Sequence, residues 1–181
     1  MTTNSALDAL VWDVCETPLG PFTLEASAHG LTAICFPGRG GPRRWDRRDP
    51  ITLDPAATAL DAYFAGERRS FEDLTLDLSS SPFDLAVWTA LLDIPYGETA
   101  SYGEVARAVG RPDIVRGVAA AIGRNPLPVV VPCHRVIGAD GSLTGYRGGL
   151  QRKQALLDLE RRVTAGLDPA PAWAFRQLAL I

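Results

Sequence analysis

The sequence lacks any hydrophobic run long enough to cross a membrane and is poor in the residues that bind metals or form disulfides. No apolar stretch approaches the ~20 residues that a membrane helix needs. The 181 residues include three cysteines and two histidines. This odd, small number of cysteines does not fit a disulfide framework. A zinc site of Cys15, Cys35 and His29 would have no C-x-x-C spacing and no fourth nitrogen or sulfur ligand, so no metal is expected.

The N-terminus and the composition are typical of an ordinary globular protein. Residues 1–13 contain no basic region followed by an apolar stretch, which argues against a secretory signal. Hydrophobic residues make up 46% of the chain and charged residues 22%. A chain of this length can form one domain, or two small domains that share an interface. We expect a cytoplasmic protein that is a monomer by default.

Acidic and basic residues are distributed unevenly along the chain. The net charge of −3 alone argues against a nucleic-acid-binding protein. Residues 1–97, however, carry a net charge of −7, whereas residues 98–153 carry +4. A basic segment can bind phosphates, and an excess of four is modest for that purpose. The charge pattern therefore leaves nucleic-acid binding open for the second half of the chain.

The first third of the sequence predicts a small antiparallel sheet. Residues 22–26 and 31–36 are short apolar runs joined by His29-Gly30, a pattern typical of a hairpin. Residues 10–14 are a third candidate strand. Residues 71–78, with alternating leucines, are a fourth.

Helical patterns dominate the remainder of the chain. Asp54-Pro55 predicts an N-cap and first residue of a helix that ends near Gly66. A second helix follows Pro82. The sequence thus predicts an α+β fold: a small N-terminal sheet-and-helix domain over residues 1–80, a mainly helical domain over 81–163, and a tail over 164–181.

The segment after residue 100 predicts two short helices joined by a turn. Ser101 and Glu104 match a capping box, and this helix ends at Gly110. Asp113 can cap a second helix that is rich in glycine and alanine and carries one long charged side chain, Arg116. A helix-turn-helix matches this pattern, as any helical hairpin would. Arg116 is either a solvated arginine or one that inserts into a base stack.

Residues 129–136, VVVPCHRV, place a cysteine next to a histidine. The β-branched run ended by proline predicts a buried strand that stops at Cys133. His134 and Arg135 follow at once, and basic or cationic neighbours favour the thiolate form that reacts as a nucleophile. A buried structural cysteine is the alternative for a lone Cys. The neighbours favour a reactive thiol here.

From Pro82 to Glu160 the sequence resembles the O6-alkylguanine-DNA alkyltransferases, the methylated-DNA–protein-cysteine methyltransferases. The resemblance depends on motifs at matching spacing: IPYG at 94–97, SYG at 101–103, Arg116, NP at 125–126, PCHRV at 132–136, GYRGGL at 145–150 and Glu160. Residues 1–80 agree loosely, as a ribonuclease-H-like sheet followed by a helix.

The resemblance implies direct repair of DNA, in which a flipped alkylguanine passes its O6 alkyl group irreversibly to a cysteine. Cys133 would be the acceptor and His134 the base, acting through an ordered water. Glu160 would orient His134, and Asn125 would hold the turn around them. Tyr102 would donate a hydrogen bond towards guanine N3. O4-alkylthymine is a second expected substrate, and the protein would react once without a metal or organic cofactor.

The resemblance also implies sets of residues for DNA and for the target base. Its partner would be double-stranded DNA containing O6-alkylguanine, bound by a monomer, with cooperative binding along DNA left open. The expected DNA contacts are Arg116, Tyr102, Ser101, Ala119 and Arg135. The expected pocket residues are Val136, Tyr146, Arg147 and Pro128. Val115 and Ala119 depart from the commoner family pattern of Ala and Gly around the arginine.

Two other classes of function remain as alternatives. A DNA-binding regulator could use the helix-turn-helix and treat Cys133 as a sensor, although the chain has no second DNA-binding or zinc segment. A cysteine hydrolase could use a Cys-His-Glu relay. Hydrolases usually bring the histidine from a distant segment, whereas His134 adjoins Cys133.

Overall fold

The structure, a computed structural model, describes residues 10–38 and 47–169. The tail predicted over 164–181 therefore lies mostly outside the described residues. The fold class is α+β, as predicted. In chain order the elements are β1 (Val11–Cys15), β2 (Phe22–Ser27), β3 (Gly30–Cys35), α1 (Pro50–Phe64), α2 (Pro82–Leu92), β4 (Ala100–Ser101), α3 (Tyr102–Ala108), α4 (Val115–Gly123), a 3-10 turn (Cys133–Arg135), β5 (Val136–Ile137) and α5 (Leu150–Thr164).

The N-terminal sheet has the order β1-β2-β3, and β2 is antiparallel to both neighbours. The predicted hairpin is therefore confirmed. Gly30 begins β3 with a φ of 141°, and a Cβ at this position would lie 2.4 Å from the Thr75 carbonyl oxygen. Only glycine permits this close approach of two backbones.

Helix α1 begins earlier than the sequence analysis predicted. The side chain of Asp49 accepts a hydrogen bond from the Thr52 amide at 3.1 Å and caps the helix, and Pro50 is its first residue. Asp49-Pro50 therefore has the role that we assigned to Asp54-Pro55. Pro55 lies inside the helix, which continues at the cost of one backbone hydrogen bond.

Residues 71–78 do not form the predicted strand. The Leu74 amide donates to the Phe71 carbonyl at 3.0 Å and closes a turn. Beyond it, a single bridge joins Leu76 to Leu31 of β3. The alternating leucines pack against the core. Their pattern therefore indicates that one side of an extended segment is buried, and does not indicate a strand paired along its length.

Helices α2, α3 and α4 lie where the sequence predicts them. Ser81 caps α2, and both hydrogen bonds of the Ser101–Glu104 capping box are present on α3. The prediction that Asp113 caps α4 is wrong, because its carboxylate accepts from Arg111 at 3.3 Å. Ile114 is the N-cap residue and makes no side-chain cap.

The apolar run at 129–131 is a buried loop and not the predicted strand. Val129 has a φ of 77°, and the Val131 amide donates back to the Leu127 carbonyl at 2.8 Å. The side chain of Asn125 satisfies backbone groups of this loop in place of a neighbouring strand. The following turn leads into β5, which pairs in parallel with β4, a contact that the sequence analysis missed.

Candidate active site

Cys133 is the first residue of the 3-10 turn and lines a cavity of about 360 Å³. Pro132 precedes the turn, and the Cys133 amide donates to the Val131 carbonyl at 2.8 Å. Cys133 is 7% exposed. The cavity brings together seven of the predicted site residues, namely Tyr102, Ala119, Asn125, Pro128, Cys133, Tyr146 and Arg147.

Asn125 fixes the loop that precedes the cysteine. Its Nδ2 donates to the Val131 carbonyl at 2.9 Å, and its Oδ1 accepts from the Leu127 amide at 3.0 Å. The side chain is 2% exposed, so water does not compete for these bonds. Asn125 therefore holds the backbone immediately before Cys133.

Cys133 is held as a thiol at neutral pH. Burial raises the pKa of Cys133 to about 11, against the lowering effects of Asn125, Lys153 and Arg147. A thiol is a weak nucleophile compared with the thiolate. The chemistry of this cysteine therefore requires a base that removes its proton.

His134 is completely buried and paired with Glu160. Its Nε2 lies 2.9 Å from Glu160 Oε1. Its Nδ1 is buried and has no hydrogen-bond partner among the described residues. Burial lowers the pKa of His134 and outweighs the opposing effect of Glu160. The imidazole is therefore neutral at pH 7, and a proton on Nε2 leaves Nδ1 as an acceptor.

Glu160 is the most heavily bonded side chain of the site. Besides His134, its carboxylate accepts from the Tyr63 hydroxyl at 2.7 Å, the Gly97 amide at 3.0 Å and Arg135 Nη2 at 2.9 Å. Burial alone raises the pKa of this carboxyl, but the hydrogen bonds and charges of His134 and Arg135 outweigh burial and lower it. Glu160 is therefore ionised.

Arg135 does not lie where the prediction of a DNA contact requires. The side chain is 7% exposed, binds Glu160, and donates to the Ile94 carbonyl at 2.6 Å. Its guanidinium also lies 5.5 Å from the centroid of the Tyr96 ring. This burial contradicts the predicted DNA contact, because the guanidinium is already used to hold the buried carboxylate.

Two aromatic residues line the cavity. The Tyr102 hydroxyl donates to the Thr144 carbonyl at 3.2 Å, and Tyr146 packs against Phe36 with ring centroids 5.6 Å apart. The Tyr146 hydroxyl is buried and has no hydrogen-bond partner among the described residues. Val136, in contrast, is not among the lining residues, and its carbonyl accepts from Lys153.

Helix α4 extends from the exposed Arg116 to the cavity wall. Ala119 is half-buried and lines the cavity, with Ile122 and Gly123 from the same helix. Trp88 Nε1 donates to the Ala121 carbonyl at 2.9 Å and fixes α4 against α2. Ser101, another predicted DNA contact, is half-exposed and caps α3.

Lys153 is a candidate residue that the sequence analysis missed. Its Nζ donates to the carbonyls of Val136 at 2.5 Å and Thr144 at 2.8 Å, and its side chain is fully buried. Lys153 and Glu160 share the apolar stripe of α5 with Leu156 and Leu157. The sequence signal for this face is the presence of two charged residues, Lys153 and Glu160, at helical positions that are otherwise apolar.

Two family models match separate parts of the chain. The DNA-binding domain of 6-O-methylguanine DNA methyltransferase matches residues 82–162, and the ribonuclease-like domain of the same family matches residues 10–78. Among curated proteins, the methylated-DNA–protein-cysteine methyltransferase of Mycobacterium tuberculosis H37Rv is 48% identical over 152 residues, which is 81% of this chain and 89% of that protein. The enzyme of Methanosarcina acetivorans is 43% identical over 83% of this chain and 98% of that protein.

Solved structures agree with these matches. The crystal structure of Mycobacterium tuberculosis OGT in complex with DNA has a TM-score of 0.82 and 44% identity, over 92% of this chain and 99% of that chain. O6-methylguanine-DNA methyltransferase from Pyrococcus kodakaraensis, at 24% identity and a TM-score of 0.61, shares the fold. Motifs, fold and relatives agree, and the chain belongs to the 6-O-methylguanine DNA methyltransferase family.

Proposed function

We propose that the protein repairs DNA by moving the alkyl group of O6-alkylguanine onto Sγ of Cys133, as a methylated-DNA–protein-cysteine methyltransferase. The observation that carries this proposal is that Cys133 lines the cavity and adjoins His134, which the buried carboxylate of Glu160 holds in place. A cysteine activated by a histidine, and a histidine oriented by a carboxylate, form a nucleophilic relay.

The transfer is a displacement at the alkyl carbon. The bond between Sγ and that carbon forms while the bond between the carbon and guanine O6 breaks, and the electron pair of the broken bond stays on the guanine. The thiol proton passes through an ordered water to Nδ1 of His134. The leaving guanine anion takes up one proton from solvent water, and the imidazolium returns the thiol proton to solvent, so no further reactant is consumed. Water does not displace a thioether, so each molecule reacts once.

Groups that meet the leaving base would stabilise its developing charge. Tyr102 would donate a hydrogen bond to guanine N3, and the Arg147 amide would face O6. The carbonyl of Cys133 would accept from the guanine amino group, and Tyr146 and Pro128 would line the pocket. The Val136 carbonyl could add a second contact only through the lone pair that Lys153 leaves free. O4-alkylthymine carries a comparable alkyl–oxygen bond and is proposed as a second substrate.

Access to the cavity requires that the base leave the double helix. In a duplex the guanine is paired and stacked between its neighbours and cannot enter the cavity, so the nucleotide would be flipped into it while Arg116 fills the gap. The position of Arg116 on the exposed end of α4, with Ala119 on the cavity wall, supports this arrangement. We propose a monomer in which residues 1–80 and 81–163 form two domains, with cooperative binding along DNA left open.

Intact-protein mass spectrometry tests the proposal. The protein is mixed with a duplex that carries one O6-methylguanine, and the modified peptide is mapped. We expect one methyl group per protein, on Cys133, and none in Cys133→Ala, which should still bind DNA. Cys15→Ala is the matched control, because burial also raises the pKa of Cys15 to about 11. Methylation of another residue, or loss of DNA binding in Cys133→Ala, would contradict the proposal.

A further inference from the structure

Among the described hydrogen-bond donors to Glu160, one comes from the N-terminal part of the chain. The Tyr63 hydroxyl, on α1, lies 2.7 Å from Glu160 Oε1. The other donors, Gly97, His134 and Arg135, lie in the segment matched by the DNA-binding model. Tyr63 of α1 and residues of the 3-10 turn therefore bind the same carboxylate, that of Glu160.

Tyr63 and His134 share the same oxygen of that carboxylate. Oε1 accepts from the Tyr63 hydroxyl at 2.7 Å and from Arg135 Nη2 at 2.9 Å, and it lies 2.9 Å from His134 Nε2. A carboxylate oxygen offers about two lone-pair sites, so these three groups compete for its electron density. The orientation of Glu160 Oε1 towards the His134 imidazole, and the negative charge that acts on the imidazole, therefore depend on whether the Tyr63 hydroxyl is present.

The Tyr63 ring has little freedom to move away. It is 0% exposed, and its centroid lies 5.3 Å from that of Phe64, 5.6 Å from that of Phe71 and 5.9 Å from that of Tyr96. Burial, together with the nearby Glu160, raises the pKa of Tyr63 well above its ordinary value. The hydroxyl therefore stays protonated and remains a donor at any physiological pH.

We propose that Tyr63 is a positioning residue for alkyl transfer: its hydroxyl aligns Glu160 with His134 and limits how strongly the carboxylate attracts the imidazole proton. This inference rests on the proposed function, because it concerns the same relay. The N-terminal part of the chain then contributes directly to the reaction, through the Tyr63 hydroxyl of α1.

The proposal predicts the direction of a pH effect. In Tyr63→Phe the carboxylate loses one donor, so more of its negative charge acts on His134 and favours the imidazolium. The other charged or titratable groups near the relay, Arg135, Lys153 and Tyr96, are unchanged. The acid limb of the pH–rate profile should therefore move to higher pH.

The experiment measures single-turnover transfer from an O6-methylguanine duplex over a range of pH. We expect Tyr63→Phe to be roughly 3- to 10-fold slower near neutral pH, the effect of one lost hydrogen bond, and its acid limb to shift upward. Tyr96→Phe is the matched control. It removes a neighbouring buried hydroxyl that has no hydrogen-bond partner among the described residues, and it should keep the unmutated profile.

Two further measurements keep the inference distinct from a loss of folding. In a Glu160→Gln background, adding Tyr63→Phe should cause no additional pH shift. In the unmutated protein, the Tyr63 hydroxyl proton should give a downfield NMR signal protected from solvent exchange. An unchanged acid limb in Tyr63→Phe, or an unprotected hydroxyl, would overturn this inference alone. Failure of the unmutated protein to accept the methyl group would overturn the proposed function with it.

Discussion

Lys153 and Glu160 lie on one face of α5, two turns apart, and both charged side chains are fully buried. Lys153 holds the carbonyls of Val136 and Thr144, whereas Glu160 holds His134 and Arg135. One helix therefore supports both the turn that begins at Cys133 and the segment that follows it. Burying two charges is costly, and each is retained here with hydrogen bonds to the site.

Lys153→Met should slow alkyl transfer roughly 100-fold, the usual effect of removing one group that stabilises developing negative charge. The lysine cation favours the thiolate of Cys133 and would favour the guanine anion in the same cavity. Rapid-quench measurement of a single turnover tests this effect. Arg161→Met, which removes an exposed positive charge from the same helix, should react at the unmutated rate. Equal rates in both variants would contradict a role for Lys153.

Alkyl transfer should become slower as the pH falls below the ordinary histidine value of about 6.5. Burial lowers the pKa of His134, so the neutral acceptor persists to lower pH than in a free histidine and is lost once the ring is protonated. The rate should not fall from neutral to mildly alkaline pH, because burial raises the pKa of Cys133 to about 11 and the neutral His134 remains available as the base. Stopped-flow transfer across this range tests the prediction. A rate that declines as the pH rises from about 6 to about 8 would contradict it.

Local sequence patterns predicted the elements whose hydrogen bonds are themselves local. The capping box at Ser101 was found because both partners lie within one turn. The start of α1 was misplaced since two Asp-Pro pairs carry the same signal, and only the structure shows that Asp49 caps the helix.

Contacts between distant segments were not predictable in this way. Residues 129–131 read as a strand because every side chain is apolar, yet Asn125 replaces the neighbouring strand. The PCHRV motif identified Cys133 and His134, and the family resemblance identified Glu160. Nothing in the local pattern of α1 distinguishes Tyr63 from an ordinary core tyrosine, since its partner lies 97 residues further on.

Glu160→Gln should reduce the free energy of unfolding by about 3–5 kcal/mol at neutral pH, because Arg135 would remain buried without its charge partner. The native environment lowers the pKa of Glu160, so its ionised form stabilises the fold above the ordinary value of 4.5. That stabilisation is lost as the pH falls from this value through the lower native pKa. The difference between the two proteins should therefore shrink in acid.

Urea unfolding at neutral and acidic pH measures this difference. Glu98→Gln, which neutralises an exposed carboxylate, is the matched control and should unfold like the unmutated protein. A Glu160→Gln variant that is as stable as the unmutated protein would show that the buried network contributes no net stability.

Arg116→Ala should slow repair of duplex DNA by roughly 10-fold while leaving the reaction with a free O6-alkylguanine base unchanged. Arg116 is exposed near the start of α4, remote from the Cys133 hydrogen bonds, so its proposed contribution is to hold the duplex open. Arg107→Ala removes an exposed arginine from α3 instead and controls for the loss of one positive charge. Equal slowing on the free base would place Arg116 in the chemical step, and equal slowing in both variants would indicate general phosphate attraction.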